Sequence, residues 1–171
     1  MSIVVQMHGE PGSGKSTVAR AIAPRIDAVV LDKDIIKSAL LRVGADEALA
    51  ASGAYEVYFE LAGDLVRQGR SVILDNPVFW PNVERRWLAL SAVAGSRPLL
   101  IECVCPDRGE LVRRLATREG LESNPRELLA LQQHPGAAAT VFEPRLTLDT
   151  TRGLTDLVGE AVAYVLEAVP A

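Results

Sequence analysis

The chain has 171 residues, 49% hydrophobic and 23% charged, with a formal net charge of -4. That is enough for one domain with a sizeable core, and the balance is that of an ordinary soluble globular protein. The mild acidity argues against a broad nucleic-acid footprint, though not against a local basic cleft. No apolar run is long enough to cross a bilayer, and the start lacks the basic-then-apolar form of a signal peptide. The two cysteines, Cys103 and Cys105, alternate within LLIECVC. That is the pattern of buried strand thiols rather than of a disulfide or metal pair, and a cytoplasmic setting is the expectation.

Short β-branched runs alternate with longer helical ones, the mark of an α/β protein with a parallel sheet. SIVVQM (2–7) predicts the first strand, and GKSTVARAIAPRI (14–26) a helix that opens at a glycine-rich loop. AVVLD (28–32) is a second strand, followed by a short helix over 33–42. A long helical stretch covers 46–68 and stops at Gly69, a plausible C-cap. SVILD (71–75) is a third strand, and NVERRWLALSAVAG (82–95) is helical. PLLIECVC (98–105) is apolar almost throughout, as expected of a strand buried on both faces. PDRGELVRRLATRE (106–119) begins with an Asp in N-cap position and continues as a basic helix. After a Pro- and Gly-broken region, 120–144, RLTLDT (145–150) is a fifth strand, and an amphipathic helix closes the chain. There is no repeat or linker, so residues 1–171 are expected to form one domain, with a lid near 107–135. In the expected doubly wound topology the second strand lies beside the first, and a ligand sits beyond the carboxyl ends of the strands.

HGEPGSGKST, directly after the first strand, carries the strongest signal. Gly9-x-x-x-x-Gly14-Lys15-Ser16 fits the phosphate-binding loop pattern with its required strand before and helix after. The glycines let backbone N–H groups converge on an anion, and the helix opening near Gly14 adds its positive end. The loop from Gly9 through Pro11, Gly12, Ser13, Gly14, Lys15, Ser16 and Thr17 is therefore expected to hold a nucleoside triphosphate. Lys15 would reach the β- and γ-phosphates, and the Ser16 hydroxyl would coordinate Mg²⁺.

Three further features bear on what the triphosphate is used for. Asp32 and Asp34 stand at the carboxyl end of the second strand, where one can take a proton from an attacking hydroxyl and either can cap the next helix. Asp34 is favoured as base, and Lys37, one turn on, is placed to hold an acceptor phosphate or the transferring group. Asp75 ends the third strand in the position where a carboxylate orders the Mg²⁺ shell or contacts substrate, or simply starts a turn. Phe79 and Trp80 beyond it would wall an acceptor pocket or cover the core. Arg114 and Arg118 share a helix face, either as lid arginines that meet the transferring phosphoryl group or as a solvated face paired with Glu110 and Glu119. His8 is expected to be a partly buried strand-end residue and His134 loop surface.

Taken together, GEPGSGKSTVAR, LDKDIIKSAL, GRSVILDNP and VRRLATRE resemble the small P-loop kinases of the zeta-toxin-like, polynucleotide-kinase-like and chloramphenicol-phosphotransferase-like group. The resemblance spans nearly the whole chain. It implies a three-layer α/β/α P-loop NTPase fold with a five-stranded parallel sheet and a small helical lid. It also implies an ATP- and Mg²⁺-dependent transfer to a hydroxyl, with Asp34 as base and Arg114 and Arg118 as lid arginines. Adenine would lie between a lid Arg and the loop 150–153, which carries Arg152. Polynucleotide kinases have Arg where this chain has Lys37, which lacks the planar fork for bidentate phosphate. The expected acceptor is thus a small molecule, with a nucleic-acid 5′-hydroxyl or toxin-type kinase and an acceptor-free ATPase as alternatives. A GTPase would need an N/T-K-x-D segment, which is missing, and the D-x-x-G at Asp156–Gly159 falls inside the predicted terminal helix.

Overall fold

The computed structural model describes residues 2–76, 81–117, 123, 142 and 144–168. In chain order these form β1 (Val4–His8), α1 (Lys15–Ile22), β2 (Ala28–Asp32), α2 (Lys33–Arg42), α3 (Glu47–Arg67), β3 (Ser71–Asp75), α4 (Pro81–Ala94), β4 (Leu99–Val104), α5 (Arg108–Thr117), β5 (Arg145–Asp149) and α6 (Leu154–Leu166). The helix expected to run to residue 26 ends at Ile22 and tightens into a 3₁₀ turn, Ala23–Arg25. Pro24 explains the change, because it removes a donor that a continuing α-helix needs.

All five strands are parallel, in the order β2-β3-β1-β4-β5. The expectation that β2 lies beside β1 is corrected here. β3 occupies that place, with Val5 opposite Ile73, and β2 is the edge strand, with Asp32 opposite Asp75. The reason lies in burial. β3 reads Val-Ile-Leu and is buried along nearly its whole length, whereas every residue of β2 is only partly buried.

Period-two alternation divides the core into two layers. Val5 and Met7 of β1, with Ile73, Leu99, Ile101 and Cys103, pack against α1 and α6 through Val18, Ile22, Leu157 and Ala161. Their neighbours Val4, Val72, Leu74 and Leu100 face the other way, onto α3 and α4 through Tyr58, Ala62, Val83 and Trp87. Phe142 meets the Trp87 ring edge-on at 4.7 Å. Both cysteines are free and buried, as expected, and burial pushes the Cys103 thiol up to about 12. No helix among the described residues is long and apolar enough to cross a membrane.

Gln6 is a polar residue in this apolar layer. It is fully buried, and its amide Nε2 donates to the carbonyls of Leu74 at 3.1 Å and Asn76 at 2.5 Å. Tyr58 of α3 donates its hydroxyl to Asn76 Oδ1 at 2.6 Å. The chain leaving β3 is therefore anchored from both β1 and α3.

Candidate active site

The loop between β1 and α1 is shaped by contacts that exclude side chains. Gly9 has φ +134°, and a Cβ there would overlap the Cys103 carbonyl oxygen and stand 2.6 Å from Ser13 Oγ. Gly14 adopts a left-handed conformation as the N-cap of α1, with no side chain to satisfy the first N–H groups of the helix. Those donors face the loop, which is the arrangement that binds anions at helix N-termini. Lys15 Nζ reaches back over the loop and donates to the carbonyls of Gly9 and Glu10, both at 2.9 Å. Ser13 Oγ is buried and has no hydrogen-bond partner among the described residues.

On the β4–β5 side of this loop lies a cleft of about 570 Å³. Gly12 and Gly14 through Thr17 of the loop form one wall, Glu110, Arg113 and Arg114 of α5 a second, and Thr150, Arg152 and Leu154 a third. Asp107 caps α5 as expected, accepting from the Glu110 N–H at 3.0 Å. Arg114 is held at three points: by Glu110 at 2.7 Å, by the Thr150 hydroxyl at 2.9 Å and by the Thr150 carbonyl at 2.7 Å. Arg113 and Arg114 together hold the Glu110 carboxyl down to about 2 through their hydrogen bonds. The pairing with Glu110 foreseen for a solvated face is thus present, and Arg114 lines the cleft as well. Arg152 also lines it and is paired with Glu160 of α6.

On the β3–β2 side stands a group of carboxylates. Asp75 is buried, and the nearby Ser16 hydroxyl favours its charged form. Its Oδ2 has no hydrogen-bond partner among the described residues. Burial pushes the Asp75 carboxyl above its ordinary value, and Asp32 beside it adds to the rise. A buried carboxylate with an open oxygen beside a hydroxyl, next to a second acid in register, is a fitting donor set for Mg²⁺. That ion takes one or two carboxylates and completes its shell with water and phosphate oxygens.

Asp32 is the N-cap of α2, accepting from the Asp34 N–H at 2.9 Å, and is paired with Arg20 of α1 at 3.2 Å. The capping role falls to Asp32, which leaves the Asp34 carboxylate on the first turn, 2.6 Å from Lys33 Nζ. The Ser123 hydroxyl donates to the Asp34 carbonyl at 3.1 Å and is joined to Ser38. Asp75, Asp32 and Asp34 all act on the fully buried Tyr58 hydroxyl, whose pKa burial chiefly raises. Lys37 is paired with Glu47 of α3. His8 is buried at the end of β1, and burial lowers its pKa.

Phe79, Trp80, Arg118 and His134 lie outside the described residues, as does most of the expected lid. Sequence reasoning passed over Arg20, which lines the cleft and holds Asp32. It also passed over the Gln6–Asn76–Tyr58 anchor behind Asp75. A Gln amid β-branched residues in a central strand was the visible sign of that anchor.

A family model described as AAA domain matches residues 4–134, more than half of the chain. The chain belongs to the AAA domain family. No curated protein matches it. Among solved structures, this AAA-family chain is similar to a candidate kinase from Chloroflexus aurantiacus J-10-fl, at 22% identity over 98% of each chain with a TM-score of 0.76. It is similar to a sugar kinase from Janibacter sp. HTCC2649, at 20% identity over 99% of this chain and 97% of that one, TM-score 0.71. The APS kinase of Mycobacterium tuberculosis, in complex with AMPPNP and APS, follows at 20% identity over 97% and 98%, TM-score 0.62. Likeness at these identities establishes the P-loop NTPase fold of this AAA-family chain, with its five-stranded all-parallel sheet.

Proposed function

We propose that the protein is a kinase that transfers the γ-phosphoryl group of ATP to a hydroxyl of a small molecule, with Mg²⁺. The observation that carries this reading is the division of the site. The phosphate loop ends the central strand β1, the cleft lies toward β4 and β5, and the carboxylates lie toward β3 and β2. A nucleotide lying in the cleft would aim its terminal phosphate across the loop at an acid-rich acceptor side, the arrangement in-line displacement needs.

The residues then divide the work. Amides of the loop and Lys15 bind the phosphates. Ser16 and Asp75 would hold Mg²⁺, which would neutralise negative charge on the triphosphate. Asp34 takes the proton of the acceptor hydroxyl, a role worth roughly 10²–10⁴-fold. Arg114 and Arg152 line the nucleotide cleft, with Arg118 as a further lid arginine. Lys37, Phe79 and Trp80 belong to the acceptor side. The pairing of Lys37 with Glu47 reduces its capacity to hold a backbone phosphate of a nucleic-acid acceptor and supports a small neutral acceptor. The motif resemblance to the zeta-toxin-like and chloramphenicol-phosphotransferase-like kinases, and the kinases among the solved neighbours, support the same reading.

The test is ATP consumption with and without a panel of sugars, nucleosides, hydroxylated antibiotics and hydroxyamino acids, coupled to detection of a phosphorylated product. Acceptor-dependent turnover that Asp34→Asn abolishes, with ATP affinity near normal, is the expected result. Turnover indifferent to every acceptor points to an ATPase, and full activity in Asp34→Asn removes Asp34 as base.

A further inference from the structure

Thr150, the first residue after β5, carries contacts that the phosphate-loop pattern does not contain. It is buried. Its hydroxyl lies 2.8 Å from the Ser13 carbonyl and 3.0 Å from the Val104 carbonyl, and accepts from Arg114 Nη1 at 2.9 Å. Its own carbonyl accepts from Arg114 Nη2 at 2.7 Å, and its N–H donates to the Val104 carbonyl at 2.9 Å. A hydroxyl has one proton and two lone pairs. The proton can serve the Ser13 or the Val104 carbonyl while a lone pair receives Arg114. The Thr150 methyl stands 3.3 Å from where a Cβ on Gly14 would lie. One side chain thus touches the second half of the phosphate loop, the end of β4 and the cleft-lining arginine of α5.

We propose that Thr150 is a positioning residue that couples the phosphate loop to Arg114, so that nucleotide affinity depends on its hydroxyl acting through the guanidinium. The inference deepens the nucleotide side of the proposed reaction and rests on it. Without the hydroxyl, Arg114 loses one of its three tethers and the Ser13 and Val104 carbonyls lose the one side-chain donor they share. The guanidinium then keeps only Glu110 and the Thr150 carbonyl, and its orientation on the cleft wall is less tightly fixed.

Calorimetric titration with AMPPNP and Mg²⁺ tests this in wild type, Thr150→Val, Thr150→Ser, Arg114→Met and the Thr150→Val/Arg114→Met pair, each checked by thermal melting. Thr150→Val should raise Kd about tenfold, the equilibrium worth of one hydrogen bond to a charged donor. Thr150→Ser keeps the hydroxyl and should stay within about twofold of wild type. In the Arg114→Met background the Val substitution should add little, because residues acting as a unit are not additive. A wild-type Kd in Thr150→Val, or the same tenfold loss in both backgrounds, overturns the proposal. Should Thr150→Val not fold, the serine variant decides: a tenfold loss there means that methyl packing on Gly14 carries the effect, and the coupling falls. Wild-type protein that binds AMPPNP but phosphorylates nothing defeats the kinase reading alone. Failure to bind AMPPNP defeats both.

Discussion

The tightest spot in the phosphate loop makes a quantitative prediction. Gly9→Ala places a methyl group against the Cys103 carbonyl oxygen, 2.6 Å from Ser13 Oγ and 3.2 Å from the Cys103 carbonyl carbon, at φ +134°. Two costs add. A side chain in this backbone region costs about 1–3 kcal/mol, and forcing it against backbone that cannot swing aside adds about 1–3 kcal/mol. Gly44→Ala is the control, because Gly44 also has positive φ, +92°, yet nothing lies within 4 Å of its Cβ position. That variant bears the backbone cost alone. Both gain equally from the stiffer unfolded chain, so the difference between them isolates the overlap, about 2 kcal/mol. With a urea slope of about 2 kcal/mol/M, the Gly9→Ala midpoint should fall about 1 M below that of Gly44→Ala. Equilibrium urea unfolding followed by circular dichroism measures it. Coincident midpoints would refute the argument that β4 presses on the loop. Nucleotide binding should also be lost in folded Gly9→Ala and kept in Gly44→Ala.

The remaining predictions concern charge. Lys15→Ala removes the donor to the Gly9 and Glu10 carbonyls and should lower both ATP affinity and turnover, with kcat/KM down about 10²-fold or more. Burial raises the Asp75 carboxyl above its ordinary 3.8, so the folded state binds a proton more readily than the unfolded one. Stability therefore falls as pH rises through that window, and the loss persists at neutral pH. Asp75→Asn should raise the Tm of metal-free protein at pH 7, lose that advantage below pH 3.8, and abolish Mg²⁺-dependent turnover; a lowered Tm at pH 7 would contradict this. His8 has the opposite sign. Burial lowers it from 6.5, so the unfolded chain takes the proton first and stability declines as pH falls below 6.5. Urea midpoints between pH 7.5 and 5 should show that decline in wild type and a shallower one in His8→Gln.

Element boundaries were legible where local chemistry is decisive. The helix over 33–42 and the strands 28–32 and 71–75 agree with the structure to the residue, because an Asp cap, β-branched runs and a closing Gly act within a few positions. The phosphate loop was legible for the same reason, its glycines being required by contacts a short stretch makes with itself and with its flanking strand. Contacts between distant segments were not. Thr150 sits 36 residues from Arg114 and 137 from Ser13, and no local pattern reports such a meeting. Nor does a single sequence say that Arg20 will find Asp32, since an exposed Arg on a helix has many possible partners.

Strand order is the most consequential of these non-local facts, because it reassigns the two acids. With β2 beside β1, Asp32 and Asp34 would have stood nearest the phosphate loop, and Asp75 would have been peripheral. In the observed order Asp75 takes the inner position and meets Ser16, while Asp32 and Asp34 stand one strand further out. The inner carboxylate is buried, has an open oxygen and pays a desolvation penalty that a bound cation would relieve. The outer one is partly exposed on a helix turn beside Lys33, where a neutral substrate hydroxyl can approach and a proton can leave. Ion binding needs the first environment and proton transfer the second. The edge position of β2 thus leaves Asp34 on the acceptor side, in keeping with its proposed role as base. With β3 between them, β2 stands two strand spacings from β1, about 9.6 Å, and an acceptor hydroxyl would lie within that span.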